Sequence, residues 1–143
     1  MNIQPLVSEQ ATAYYNEEQH IIWVTYSGVL GADVTVQVYD WLNRLILAIG
    51  VDQIYGQIFD FSAVTEFQES NLQTARKTSK RMNIKVDTSH IPVALVVGNF
   101  YQEEILSGPM RVEAGHIRKR IVHSEAEALA FIEAWNLEHR ETS

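Results

Sequence analysis

Seven consecutive residues, Ile91-Pro92-Val93-Ala94-Leu95-Val96-Val97, form an almost unbroken apolar run. A run this short suits a strand covered on both faces, with Pro92 tolerable only at its beginning, where no ladder N–H is needed. Such a strand needs packing layers on both sides. The rest of the chain supplies them, because short β-rich runs alternate with longer helical patterns, as expected of an α/β domain. A second run, Ile21-Ile22-Trp23-Val24-Thr25-Tyr26, is also apolar on both faces and reads as a central strand. Residues 11–16 pair with it in a hairpin across Glu17-Glu18-Gln19.

Residues 32–50 fit two templates. Val34, Val36 and Val38 alternate as in a strand, whereas Val34, Val38, Trp41, Leu42, Leu45 and Ile49 recur at helical spacing. The helical template covers more residues, and Gly31 or Asp33 at its start and Gly50 at its end agree with it. Ile54 to Phe61 reads as a strand ending in a turn at Asp60-Phe61-Ser62. Ser70-Asn71-Leu72-Gln73 is a capping box that opens a helix with Leu72, Ala75, Ser79 and Met82 on its buried stripe. A short helix follows over Phe100 to Leu106, before Gly108-Pro109 breaks it. Residues 116–123 form a strand charged enough for a sheet edge. Ser124-Glu125-Ala126-Glu127 is a second capping box, opening a helix that carries Ala128, Leu129, Ile132 and Trp135 on one face. The order is ββαβαβαβα: a four- or five-stranded mixed sheet with helices packed over it, parallel except at the first hairpin. The 143 residues, with no linker or repeat, fit a single domain over residues 1–143.

The element order, the run Ile22-Trp23-Val24-Thr25-Tyr26-Ser27-Gly28, the turn Asp60-Phe61-Ser62-Ala63-Val64 and the closing Glu127-Ala128-Leu129-Ala130-Phe131-Ile132 together resemble the SpoIIAA-like, or STAS-like, domains over residues 14–136. The resemblance implies a small sheet with helices packed over it and a regulatory role through protein–protein contact. Anti-sigma-factor antagonists in that family are switched by phosphorylation of a serine at the start of the helix after an Asp-hydrophobic-Ser turn. Asp60, Ser62 and Val64 match the turn, and Ser70 followed by Leu72 falls at the phosphoserine position, with Gln68, Glu69 and Asn71 departing from the antagonist pattern. A phosphoryl group at Ser70 would meet a favourable helix dipole; a plain N-cap is the alternative. The SpoIIAA-like fold also resembles the lipid-carrier CRAL-TRIO domain, which implies an apolar small-molecule pocket.

Charge and motif content narrow the function further. The net charge is −7, but Arg76, Lys77, Lys80, Arg81 and Lys85 fall together without an acid, while six Lys or Arg face eighteen Asp or Glu elsewhere. That patch is either a solvated helix end complementing the dipole or a docking surface for an acidic partner or anionic headgroup. The acidic balance argues against nucleic-acid binding by the molecule as a whole. There is no cysteine, no dinucleotide or Walker fingerprint, no G-x-S-x-G elbow, and five scattered histidines lack metal-ligand spacing. Asp87-Thr88-Ser89-His90 places an acid and a base close in sequence, but neighbours in a turn need not share a site. No cofactor, no metal and no enzymatic activity are expected. No signal peptide or membrane span is recognisable, so a cytoplasmic location is expected.

In open α/β sheets, crevices form at the carboxyl ends of the parallel strands. Asp60, Phe61, Ser62, Asn99, Phe100 and Tyr101 are therefore the candidate ligand or partner crevice. Two functions are carried forward. One is a regulatory or scaffolding domain, expected as a homodimer, with the edge hairpin and residues 100–110 as interfaces. The other is a carrier or sensor of a small apolar or lipid-like ligand. Trp23, Trp41 and Trp135 are expected as core anchors.

Overall fold

In the computed structural model, which describes residues 4–68, 88, 90–107 and 118–139, the elements run β1 (Leu6–Val7), β2 (Ala11–Asn16), β3 (Ile21–Leu30), α1 (Ala32–Ile49), a 3-10 turn (Val51–Gln53), β4 (Gly56–Phe67), β5 (Val93–Val96), α2 (Phe100–Ser107), β6 (Lys119–Val122) and α3 (Glu125–His139). The strands form one sheet in sequential order. β1, β2 and β3 pair antiparallel, and β3 to β6 pair parallel. The mixed α/β class and the parallel arrangement are as expected.

The strand count is six among the described residues rather than four or five. The added strand is β1, only two residues long and registered Leu6 to Ala13 and Val7 to Thr12. Two residues cannot display an alternation, so tertiary pairing alone defines it, helped by Trp41 Nε1 donating to the Gln4 carbonyl at 2.8 Å.

The turn between β2 and β3 is closed by Asn16, whose Oδ1 accepts from the N–H groups of Glu18 and Gln19, each at 3.0 Å. His20 leaves that turn with φ of 60°, in the left-handed region. The ambiguous segment 32–50 is a helix: Val34, Val38, Trp41, Leu42 and Leu45 are buried on its inner face, while Val36 points outward. Gly50, at φ 87°, ends it with its N–H on the Ile46 carbonyl at 2.8 Å.

The sheet separates two apolar layers. On one face Ile22, Val24, Tyr26, Phe59, Phe61 and Val93 pack with residues of α1 and with Leu106 of α2. On the other, Ile21, Ile58, Ala94, Val96 and Val122 pack under Ala128, Phe131, Ile132 and Trp135 of α3. Burial on both faces is why β5 reads as a continuous apolar run. Trp41 and Trp135 are buried core residues, but Trp23 is only half-buried, at the margin of the α3 layer. α3 is capped as its sequence suggests, with Ser124 Oγ accepting from the Glu127 N–H at 3.1 Å. Glu127 reaches back one residue further than a standard box, accepting the His123 N–H at 2.8 Å.

The strand expected to stop at Asp60-Phe61-Ser62 does not stop there: β4 continues to Phe67. Its register against β3 shifts between Thr25 and Ser27, and again between Gly28 and Val29, each shift placing one extra residue in β4. Asp60 Oδ1 accepts from the Ser62 N–H at 2.8 Å and from its hydroxyl at 2.6 Å. These bonds are the ones an Asx turn would make, but here they fold a bulge into a strand whose pairing resumes beyond it. β6 occupies the sheet edge, as its charge predicts. The helix expected from Ser70 lies outside the described residues.

Candidate functional site

The carboxyl end of β5 meets the first bulge of β4 through small residues. A Cβ added at Gly98 would lie 3.1 Å from the Ser62 Cβ, so β4's bulge and the loop into α2 touch. Asn99 opens α2, its Oδ1 accepting the Gln102 N–H at 2.9 Å. The Gln102 side chain turns inward and is fully buried. Its Oε1 accepts from the Gly98 N–H at 2.6 Å, and its Nε2 donates to the carbonyls of Ser62 at 3.1 Å and Val64 at 2.8 Å. The β4–β5 pairing stops at Asp60 and Val96, and Gln102 takes up the Ser62 and Val64 carbonyls beyond that point. The preceding residue, Tyr101, accepts the Phe67 N–H on its hydroxyl at 2.9 Å, with the two rings 5.8 Å apart.

These bonds fix α2 to β4 and leave the Phe100 ring on its outer surface. Phe100 is 75% exposed and Tyr101 41% exposed. Val29, paired opposite Glu66 near the same end of the sheet, is exposed too.

Of the six crevice candidates, Ser62, Asn99, Phe100 and Tyr101 share this crest. Phe61 does not: it is buried on the α1 side, stacked on Tyr26 at 5.0 Å and 5.8 Å from Phe67. Strand alternation turns Asp60 to the opposite face of β4, where its carboxylate is committed to Ser62. Phe100, expected as apolar wall, stands out into solvent instead. The six therefore do not line one crevice: alternation along β4 sends Asp60 and Phe61 to opposite faces, and Phe61 into the core. Ser70 and the basic group Arg76, Lys77, Lys80, Arg81 and Lys85 lie outside the described residues. So do Asp87 and Ser89, while His90 sits with Nε2 3.3 Å from the Val51 carbonyl oxygen.

Gln102 escaped the sequence reading although a signal was present. Asn99-Phe100-Tyr101-Gln102 has the form of a capping box, an N-cap residue followed three positions later by Gln. Half of that box forms. The other half is replaced by the inward bonds to Gly98, Ser62 and Val64.

Beside the crest, His123 follows β6 and bridges two helices. Its Nε2 lies 3.0 Å from Glu103 Oε1 of α2, and its Nδ1 lies 3.5 Å from Glu127 Oε1 of α3. The hydrogen bond to Glu103 is the main cause raising its pKa, with both carboxylates contributing. Lys119, on β6, is lowered to about 8 by loss of water around its ammonium group and secondarily by Arg118. Burial holds the Tyr26 hydroxyl well above its usual value. Among the described residues no group of three or more His, Cys, Asp or Glu is placed to hold a metal ion. No helix among them is long and apolar enough to cross a membrane.

No family model matches the chain, and no curated protein matches it. Solved structures do. An uncharacterised DUF3478-family protein with a SpoIIAA-like fold from Shewanella loihica PV-4 superposes with a TM-score of 0.58 at 13% identity, covering 89% of this chain and 98% of that one. An anti-sigma factor antagonist from Mycobacterium paratuberculosis gives a TM-score of 0.55 at 13% identity, over 86% and 94%. The anti-sigma factor antagonist SpoIIAA in its unphosphorylated form gives 0.50 at 11% identity, over 91% and 96%. The fold is SpoIIAA-like.

Proposed function

We propose that this SpoIIAA-like chain is a non-enzymatic regulatory or scaffolding domain that acts through protein–protein contact at the crest formed by β4 and α2. The observation that carries this reading is the rigid display of Phe100. The ring is 75% exposed, while Gln102, two residues on, locks the same helix to the sheet through three hydrogen bonds. An aromatic side chain on a preorganised support loses little freedom on association, and such residues anchor interfaces. Ser62 and Asn99, both exposed, are the polar residues of the same crest. Two structures of similar fold are described as anti-sigma factor antagonists, which supports a regulatory role.

The test is photo-crosslinking in the native cells from benzoylphenylalanine placed at Phe100 of the full chain. A discrete adduct with another protein is expected. No adduct would overturn the interaction reading, and a bound mass of lipid size in native mass spectrometry would then favour a carrier.

A further inference from the structure

The first 43 residues contain no Lys or Arg and five acids, Glu9, Glu17, Glu18, Asp33 and Asp40. Three of these acids sit in the two turns that bound β2: Glu9 between β1 and β2, and Glu17 and Glu18 between β2 and β3, all exposed. Between the turns, one face of the hairpin carries no charge. Val7 lies opposite Thr12, Thr12 opposite Thr25, and Tyr14 opposite Trp23. The Tyr14 and Trp23 rings stack with centroids 6.5 Å apart and planes 7° apart. The other face of the same strands, with Ala11, Ala13, Ile22 and Val24, is core. α3 packs against β5 and β6, reaching only as far as Trp23. Val7 remains 78% exposed and Tyr14 46% exposed.

We infer that this face is a second docking surface, fitted to a protein partner whose apolar centre is flanked at both ends by Lys or Arg. The inference rests on the reading of the chain as a protein-interaction domain. The six residues of β2 set the acidic turns roughly 20 Å apart at about 3.4 Å per residue, with the aromatic pair between them. An acid-ended strip repels nucleic acid and anionic lipid, and it attracts a surface with cations at matching separation. A second copy fits poorly. Each copy carries −7, and joining two of these faces sets acidic ends against one another. Tyr14 and Trp23 serve as the desolvated anchor, and the turn acids set partner choice and encounter rate.

The test uses benzoylphenylalanine at Thr25 of the full chain in the native cells, followed by titration of the purified adduct partner. The expected result is a heterologous protein whose affinity falls about tenfold or more in Tyr14→Ser, and again in the Glu17→Lys, Glu18→Lys double variant. Its affinity should also weaken steeply as salt rises from about 50 to about 300 mM. An adduct with another copy of this chain, a partner indifferent to both variants, or no adduct at Thr25 overturns the inference. Crosslinking at Phe100 but not at Thr25 leaves the proposed function standing without this surface; silence at both sites removes both.

Discussion

The side-chain amide of Gln102 donates to the main-chain carbonyl of Val64 across 2.8 Å, joining α2 to the far side of a bulge in β4. The same amide group reaches the Ser62 carbonyl and accepts from the Gly98 N–H. Truncation in Gln102→Ala would leave these partners without a replacement. Leaving buried polar groups unpaired costs about 1–3 kcal/mol each, so a loss of about 2–4 kcal/mol is expected in urea unfolding. A loss below about 1 kcal/mol would mean that water or a local shift satisfies them. Gln102→Glu should cost more at neutral pH, because a carboxylate would face two carbonyl oxygens, and the deficit should shrink on acidification.

Gly56 lies directly beneath α3. A Cβ there would approach Ile132 Cγ2 to 2.7 Å and Cδ1 to 2.8 Å. Gly56→Ala should therefore destabilise the fold by about 1–3 kcal/mol, the usual cost of overpacking. Adding Ile132→Val removes the δ-methyl and should recover part of that loss in a double-mutant cycle. Purely additive effects in denaturant melts would show that the two sites do not collide.

His123 ties α2 to α3 through Glu103 and Glu127. Its pKa is raised, chiefly by the hydrogen bond to Glu103, so the folded state holds the proton more tightly than the unfolded chain. The stabilisation is complete below the ordinary histidine value of about 6.5 and disappears as pH rises through the higher folded value. A histidine NMR titration should place His123 above about 6.5, and Glu103→Gln should bring it back down. A midpoint unmoved by Glu103→Gln would break the assignment.

Lys119 titrates in the opposite sense. Its value of about 8 means that the folded protein releases this proton before the unfolded chain does. Its contribution makes the fold more stable as pH rises from about 8 toward the unfolded lysine range near 10.4. An NMR titration of the Lys119 Cε resonance should show a midpoint near 8. A midpoint in the ordinary lysine range would mean that water reaches the ammonium group freely.

Much of the fold was legible because periodicity and capping act locally. Val34, Val38, Trp41, Leu42 and Leu45 recur on one side of any helix built from residues 32–50, and all five are buried in α1. The run around Val93–Val96 carries apolar residues at every position because both faces of β5 are covered. The charge of Lys119 and Arg120 matches an edge strand. The candidate site was less legible. Asp60-Phe61-Ser62 has the residues of a turn, and its local hydrogen bonds form, yet pairing with β3 holds the chain extended through it as far as Phe67.

By itself, then, the sequence determined the alternating elements, their caps and the apolar layers, since these depend on residue spacing along a few turns or strand positions. Only the tertiary structure decided that β4 bulges twice instead of ending, and that Phe61 goes into the core while Phe100 stands out. It also turned Gln102 from a capping residue into a buried bracket, and paired Leu6–Val7 as a sixth strand. Each of those outcomes depends on contacts between residues distant in sequence, where hydrogen-bond satisfaction and close packing outweigh local preference.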